Sequence, residues 1–209
     1  FEKVCDGWVT EMQQIMILQG AEGTPVNSAY SITQWEDFAG SEYRFRMSDY
    51  LDGTKVDEIV GKAVRQDDMV KVTYEIPVEV EEELPADAMF PTQHSLELLK
   101  RAQDGEKFAN DLVFDGSGDT PTNRVAVVIS DRKDAANAAD DPDAIAQSPF
   151  HRMSLAFYPI GAAENGPTTE MAVDFAENGV AHAMRFDYGE FEVLGTLDKV
   201  NRLPMPDCG

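Results

Sequence analysis

Basic residues are scarce in this chain. It contains 17 Lys and Arg against 39 Asp and Glu, which gives a formal net charge of -22 and a pI near 4.3. A surface of this charge repels phosphate backbones and anionic membranes, which argues against nucleic-acid binding. The acidic residues are spread along the chain, with runs only at 79–83 and 140–143. They therefore indicate solubility rather than one cationic partner.

Long apolar runs are absent as well. The longest one, "VAVVIS" at 125–130, has the length of a strand, so no transmembrane segment is predicted. The sequence starts at Phe1 with no Met and no charged-then-apolar leader. We therefore expect a signal peptide to have been removed.

Cysteine occurs only twice, as Cys5 and Cys208. Positions at the two ends of a chain suit neither a metal pair nor a catalytic thiol, and a disulfide between the chain ends fits better. Disulfides persist outside the cytosol, so this pairing predicts a periplasmic or secreted protein. The alternative is two free thiols in a cytosolic protein.

The usual catalytic motifs are missing. There is no G-x-S-x-G elbow, no P-loop lysine motif and no strand-anchored G-x-G-x-x-G. His94, His151 and His182 are scattered without metal-binding spacing, and each is expected to be structural. The sequence therefore predicts no catalytic residues, no metal and no cofactor, with a hydrolase as a remote alternative.

The main pattern in the sequence is an alternation of apolar and polar residues. The stretch "EYRFRMSDY" places Tyr43, Phe45 and Met47 on one face and Arg44 and Arg46 on the other. This pattern predicts an antiparallel strand with one face in water. The Asp-Gly pair at 52–53 then predicts a hairpin turn.

Two further stretches carry strand signals. The stretch "MVKVTYEIPVEV" at 69–80 alternates throughout and predicts one long strand, with an edge or bulge at Pro77 because proline lacks an N–H. Asn178–Gly179 separates two alternating runs and predicts a second hairpin. Trp8 and Trp35 fall on predicted strands, where tryptophan more often fills a core than lines a pocket.

About ten such strands follow one another in meander order, and no repeat or composition shift marks a domain boundary. Long strands connected in sequence favour a twisted, barrel-like sheet that curls to hide its edges. We therefore predict a mainly β, antiparallel fold with residues 1–209 in a single domain. The small, polar stretch at 131–149 is expected to be a mobile excursion.

One helix interrupts the strands, in "LPADAMFPTQHSLELLKRAQDGE" at 84–106. Pro91 suits a first turn and Gly105 suits the position after the last one, which predicts a helix at about 91–104. Leu96 and Leu99 belong to its apolar stripe. This stripe must be buried, and we expect it to pack on the concave side of the curled sheet.

Several segments taken together resemble a known family. They are "CDGWVTE", "LPADAMFPTQHSLELLKRAQDGEKF", "FDGSGD", "MSLAFYP", "FAENGVAHAMRFDYGEFEV" and "RLPMPDC". In this order, from Cys5 to Cys208, the chain resembles the EipB envelope integrity protein family. The resemblance implies a periplasmic protein that maintains the cell envelope and has no assigned catalytic residues.

The resemblance also implies structural features. It implies a β-spiral, an incompletely closed antiparallel barrel similar to the lipoprotein carriers LolA and LolB, with a helix on its concave side. It implies a disulfide between Cys5 and Cys208, and a tetratricopeptide-repeat protein as a candidate partner. Family members carry a further stretch before "CDG", so we expect this chain to lack the opening strand or strands of the full domain.

Three functions are compatible with these observations. The first is a non-enzymatic periplasmic protein that supports envelope integrity by binding a partner protein, and the second is a carrier that holds a lipid or acyl chain in the concave face. The third is the remote hydrolase. The carrier requires an apolar pocket. The favoured alternative is that the leucines of the helix fill that space as part of the core. The predicted lining is Phe45, Val70, Val72, Tyr74, Leu96, Leu99 and Phe186.

Overall fold

The computed structural model describes residues 1–18, 25–118, 121–134, 148–161, 166–189 and 191–208. The acidic run at 140–143 lies outside the described residues, as does most of the stretch at 131–149 that was predicted to be mobile.

Within these ranges the chain forms 13 β-strands and one α-helix, which confirms the prediction of a mainly β, antiparallel fold. The chain divides into two compact units. The first comprises Phe1–Phe90, Gly116–Asp119 and Pro204–Gly209, and the second comprises Pro91–Asp115 and Thr120–Leu203. Each unit contains one antiparallel sheet, and the single domain stays a prediction.

The first sheet has seven strands, and each pairs with its neighbour in the sequence. Consecutive antiparallel strands need only short turns, which explains this meander order. The strands are β1 (Glu2–Lys3), β2 (Gly7–Leu18), β3 (Val26–Asp37), β4 (Glu42–Leu51), β5 (Thr54–Arg65), β6 (Met69–Ile76) and β7 (Val80–Pro85).

The predicted alternation along β4 is confirmed. Tyr43, Phe45 and Met47 are buried, and the two arginines between them are exposed. The predicted turn after β4 is also confirmed, because Asp52 and Gly53 both have positive φ angles, 47° and 78°. Two consecutive positive φ angles are typical of the type I′ turn, whose twist matches that of the flanking strands.

The single long strand predicted at 69–80 is wrong. Strand β6 ends at Ile76, the chain reverses around Pro77, and β7 pairs back with Val80 opposite Tyr74. Proline cannot donate a ladder hydrogen bond, so the strand stops before it. Because of the reversal, Val78 and Val80 are exposed, although their spacing placed them on the inward face.

The second sheet has six strands, again in sequence order. Its last strands include the predicted Asn178–Gly179 hairpin, in which Met171 lies opposite Phe186 and Val173 opposite Met184. The strands are β8 (Phe108–Phe114), β9 (Thr122–Ile129), β10 (Phe150–Pro159), β11 (Thr169–Ala176), β12 (Ala181–Asp187) and β13 (Glu192–Thr196).

The helix α1 spans Pro91–Gln103, as the sequence predicted. Its end is closed by the N–H of Gly105, which donates to the carbonyl of Ala102, and by the N–H of Glu106, which donates to Arg101. Gly105 has a φ of 82°, which a residue without a Cβ adopts readily. The helix α1 has 13 residues, which is too few to cross a bilayer. No other helix occurs among the described residues.

The helix packs on one face of the second sheet, but with a different stripe from the predicted one. Leu98 and Leu99 are 3% and 7% exposed and join a core with valines of β9, whereas Leu96 is 46% exposed. At 100° per residue, Leu96 points roughly 130° away from the centre of the buried face, which is formed by His94, Leu98, Leu99 and Ala102. Including Leu96 in the buried stripe was therefore wrong.

Candidate functional site

A cleft opens on the polar face of the first sheet. Its volume is about 480 Å³, which falls within the range of small-ligand and peptide sites. Side chains from five consecutive strands, β2 to β6, contribute to it. The lining residues are Val9, Thr33, Gln34, Trp35, Glu42, Arg44, Phe45, Arg46, Val60, Gly61, Lys62 and Glu75.

Strand register brings these residues together in rows. In the first row, Val9 lies opposite Trp35, Trp35 opposite Arg44, and Arg44 opposite Lys62. In the next row, Thr33 lies opposite Arg46, and Arg46 opposite Val60. Residues two positions apart on a strand share a face and stand about 7 Å apart, and adjacent strands lie about 5 Å apart. The two rows therefore form one surface.

Trp35 is the aromatic centre of the first row. The guanidinium of Arg44 lies over its ring, 4.8 Å from the ring centroid. Space beside the indole depends on Gly7, where a Cβ would stand 3.0 Å from Nε1 of Trp35. Of the two roles that the sequence allowed for a strand tryptophan, Trp35 has the less common one, because this half-buried ring lines the cleft.

The cleft contains three cations, Arg44, Arg46 and Lys62, which we call the cation cluster. Nε of Arg44 donates to Glu42 at 2.7 Å, and Nη1 of Arg46 donates to Glu58 at 2.6 Å. The side chains of Arg44 and Arg46 are nevertheless 63% and 57% exposed. Among the described residues Lys62 has no ion-pair partner, so the cluster retains capacity for an anion.

Ion pairing favours the charged forms of Arg44 and of Glu58, the partner of Arg46. The hydrogen bond and the charge of Glu42 raise the pKa of Arg44. A hydrogen bond from Lys55 is the largest cause that lowers the pKa of Glu58, and Arg46 lowers it further. A face with fixed charges of both signs can bind a polar chain by charge-assisted hydrogen bonds.

The cleft has a glycine in its floor. The β5–β6 register shifts between Val60 and Gly61, which is typical of a β-bulge. A Cβ at Gly61 would lie 2.6 Å from Cζ of Phe45 and 2.9 Å from the carbonyl oxygen of Thr73. The ring of Phe45 therefore occupies the space that a side chain at position 61 would need.

Four of the residues predicted to line an apolar pocket lie in the first unit. Phe45, Val70 and Val72 are buried, with at most 3% of their surface exposed, and Tyr74 is half-buried. Phe45 stacks on Tyr43 with ring centroids 5.2 Å apart and meets Tyr74 edge to face at 5.8 Å. These contacts are those of a packed core.

The other three predicted lining residues lie in the second unit. Leu99 is buried in the helix–sheet core, Leu96 is largely exposed, and Phe186 is half-buried on β12. Of the predicted set, Phe45 alone contributes to the cleft on the first sheet.

The two cysteines are joined in the structure. Cys5 and Cys208 lie in the first unit with their Cα atoms 5.5 Å apart and their sulfurs bonded, across a sequence separation of 203 residues. Both residues are exposed. The bond ties the last residues of the chain to the segment between β1 and β2.

The second unit contains a partly buried ionic cluster that sequence reasoning missed. Arg101 donates to both carboxylate oxygens of Asp111, at 3.0 and 2.8 Å, and also to Glu97 at 3.0 Å. Nε2 of His94 lies 3.4 Å from Asp111, but without the geometry of a full hydrogen bond. We call these residues the helix clamp, because they join α1 to strand β8.

The helix clamp keeps Asp111 ionised. The contact with His94 is the largest cause that lowers the pKa of Asp111, and Arg101 lowers it as well, against the opposing effect of burial. His94 was expected to be structural, and its neighbour Asp111 on β8 was not foreseen because it lies 17 positions further along the sequence. The i, i+4 spacing of Glu97 and Arg101 was the only local signal.

The lining of the cleft combines an aromatic ring with cationic and hydrogen-bonding side chains. Its lining contains no histidine and no cysteine, and its Glu42 is bound to Arg44. Within the described ranges, no group of three or more His, Cys, Asp or Glu side chains is arranged to hold a metal ion. What the cleft offers is a flat aromatic ring, exposed cations and hydrogen-bonding groups, which are typical of recognition surfaces.

Known proteins resemble this chain over most of its length. The family model described as EipB-like matches residues 1–204. The "Cell envelope integrity protein EipB" of Brucella abortus (strain 2308) is 25% identical over 203 residues, which are 94% of this chain and 71% of that protein.

A solved structure resembles it too. The crystal structure titled as a beta-barrel-like protein of domain of unknown function DUF1849, from Brucella abortus, superposes with a TM-score of 0.85 at 24% identity. The superposition covers 95% of this chain and 83% of that one. This likeness shows a shared fold.

Proposed function

Since this chain belongs to the EipB-like family, we propose that it supports the integrity of a bacterial cell envelope by binding a partner protein in the cleft of the first sheet. The proposed role involves no catalysis. The name of the relative from Brucella abortus supports the envelope role. The bond between Cys5 and Cys208 supports a periplasmic location, because disulfides persist in that compartment.

The charged lining of the cleft is the observation that carries the choice of a protein partner. The cations of the cluster, together with polar and apolar side chains of the two rows, lie around a half-buried tryptophan, Trp35. Tryptophan and arginine are enriched among the residues that dominate binding energy at protein interfaces. A polypeptide offers the hydrogen-bond donors, acceptors and apolar contacts that such a lining can engage.

The same lining argues against the alternative of an acyl-chain carrier. An acyl chain would desolvate the cations of the cleft without offering them partners, which is costly. The apolar residues predicted as a lipid pocket, Phe45, Val70 and Val72, are buried among their neighbours instead. A tetratricopeptide-repeat protein stays a candidate partner on the strength of the family resemblance.

The proposal is tested in the bacterium that encodes the protein. Deleting the gene should raise sensitivity to detergent, and the wild-type gene should restore resistance. A variant in which Arg44, Arg46 and Lys62 are all replaced by Gln, called the triple-Gln variant, should accumulate to the same level without restoring resistance. The control is Arg185→Gln, which removes an exposed arginine of the second sheet and should restore resistance fully.

Two results would contradict the proposal. A deletion strain with an unaltered envelope would remove the envelope role. Full rescue by the triple-Gln variant would remove the cleft as the site of action. The carrier is tested separately by extracting the purified protein for lipid, and recovery of stoichiometric lipid would favour it over the protein partner.

A further inference from the structure

We infer that the partner occupies the cleft with a short extended segment carrying carboxylates at alternate positions, an acidic-X-acidic sequence that lies along strand β4. This inference rests on the proposed function and names the chemistry that the cleft selects. Three observations support it: the charge of the lining, the spacing of its cations and the position of Trp35.

The lining reverses the charge balance of the chain. It contains three bases, the cation cluster, and two acids, Glu42 and Glu75, whereas the whole chain has 17 bases and 39 acids. Arg44 is paired with Glu42 and Arg46 with Glu58, so the local attraction for an anion comes from Lys62, which has no ion-pair partner among the described residues, and from the exposed parts of the two guanidinium groups. This combination suits a ligand with a few carboxylates and disfavours a densely charged membrane surface or nucleic acid.

The spacing of the cations matches an extended peptide. Arg44 and Arg46 are two positions apart on β4, so they share a face about 7 Å apart. Side chains at positions i and i+2 of an extended peptide have the same spacing. A carboxylate at position i would lie between Arg44 and Lys62, which are opposite each other, and the carboxylate at i+2 would face Arg46.

The remaining lining fits the rest of such a segment. Glu42 and Glu75 can accept hydrogen bonds from peptide N–H groups, which a phosphate headgroup does not offer. The indole of Trp35 and the side chain of Val9 lie beside Arg44 and provide apolar contact. A peptide therefore complements both signs of charge in the cleft, whereas an anionic headgroup such as that of phosphatidylglycerol presents negative charge alone.

Trp35 also supplies the assay. The chain has two tryptophans, and Trp8 contacts Phe1 and Phe38 rather than the cleft. Replacing Trp8 with Phe makes Trp35 the only indole fluorophore. The probes are three blocked pentapeptides: Gly-Glu-Ala-Glu-Gly, its isomer Gly-Glu-Glu-Ala-Gly, and Gly-Gln-Ala-Gln-Gly, each titrated at low and high salt.

The alternate-carboxylate peptide should change Trp35 fluorescence saturably. The isomer loses one carboxylate contact, worth about 1 kcal/mol at an exposed site, and should bind about fivefold more weakly. The glutamine peptide should bind at least about tenfold more weakly, and high salt should abolish the difference between them. The triple-Gln variant should lose binding by about tenfold or more, while Arg185→Gln should leave it unchanged.

A conservative variant guards against misfolding as an explanation. Arg46→Lys keeps the charge and should retain most of the binding, whereas Arg46→Gln should not, and circular dichroism should be the same for both. Equal binding of all three peptides, or no saturable response to any of them, would overturn the inference.

Binding to phosphatidylglycerol vesicles without binding to the peptides would identify an anionic lipid as the ligand of the cleft. That result would likewise overturn the inference. These failures are distinguishable from failure of the proposed function, which the rescue of detergent resistance by the triple-Gln variant decides on its own.

Discussion

Replacing Cys5 or Cys208 with Ser breaks a bond that closes almost the whole chain into one loop. The sequence separation is 203 residues. For a loop of this length, the chain-entropy model assigns about 5 kcal/mol of stabilisation, because the crosslink removes conformations from the unfolded chain. That contribution is comparable to the net stability of an ordinary domain, about 5–15 kcal/mol.

The corresponding change in melting temperature is large. For chains of about 150–250 residues, 1 kcal/mol shifts Tm by about 2–4 °C. Loss of the bond between Cys5 and Cys208 should therefore lower Tm by about 10–20 °C. The decrease in Tm is smaller if the unfolded chain retains structure. The far-ultraviolet circular dichroism at low temperature should be unchanged, because both cysteines lie outside the strands.

The assay is thermal unfolding of four samples by circular dichroism: wild type, Cys5→Ser, Cys208→Ser and the double variant. Each single variant breaks the same bond, so the double variant should melt with the single ones rather than lower by the sum. Because both cysteines are exposed, wild type treated with a reductant should melt at the same temperature as the variants. Equal Tm values for untreated wild type and the variants would refute the reasoning.

Other predictions concern the helix, the helix clamp and the glycine in the cleft floor. Leu98→Ala should lower the free energy of unfolding by about 2–5 kcal/mol, and Leu96→Ala, on the exposed side of the same helix, by less than about 1 kcal/mol, as measured by urea unfolding. Asp111→Asn should lower it by about 3 kcal/mol at neutral pH, because Arg101 then loses the more buried of its two carboxylate partners and keeps only Glu97. Since folding lowers the pKa of Asp111, its stabilisation is present above the unfolded value of about 3.9 and is lost as pH falls through the folded value. The difference between wild type and Asp111→Asn should therefore shrink in urea titrations below about pH 4, and a difference independent of pH would contradict the assignment. Gly61→Ala should cost about 1–3 kcal/mol by steric overlap with Phe45, and an unchanged urea midpoint would show that the ring moves aside.

The parts of the fold that follow from local rules were predicted from the sequence. Alternation along β4 identified the buried and exposed faces, and the Asp52–Gly53 pair identified the turn after it. Pro91 and Gly105 marked the helix ends. Each of these signals acts over a few residues, through backbone sterics or the period of the side chains.

The predictions failed where contacts with distant parts of the chain determine the local structure. The inward pattern from Val70 to Val80 continued past Pro77, but the chain reversed and formed β7 from the remaining residues. Leu96 had the composition of a buried position, yet the sheet contacts the helix on the side of Leu98. Hydrophobicity alone does not specify which face of a helix meets the core when apolar residues surround much of it.

The functional features depended most on tertiary structure. The helix clamp pairs Arg101 with Asp111 across an intervening turn, and the sequence offered no reason to select that carboxylate among 39 acids. The cleft collects residues from Val9 to Glu75 on five strands. No motif search finds such a set, since its members are adjacent only across the sheet.

By itself, the amino-acid sequence determined that this protein is mainly β and antiparallel, where the helix lies, and that the chain is acidic and resembles one family. It did so because strand alternation, turn chemistry and helix ends are local properties. Only the tertiary structure decided which side chains become neighbours, and so it decided that Trp35, Arg44 and Lys62 share a row. Register produces this outcome, because a slip of one residue would move every side chain of the slipped strand to the opposite face of the sheet and break the row.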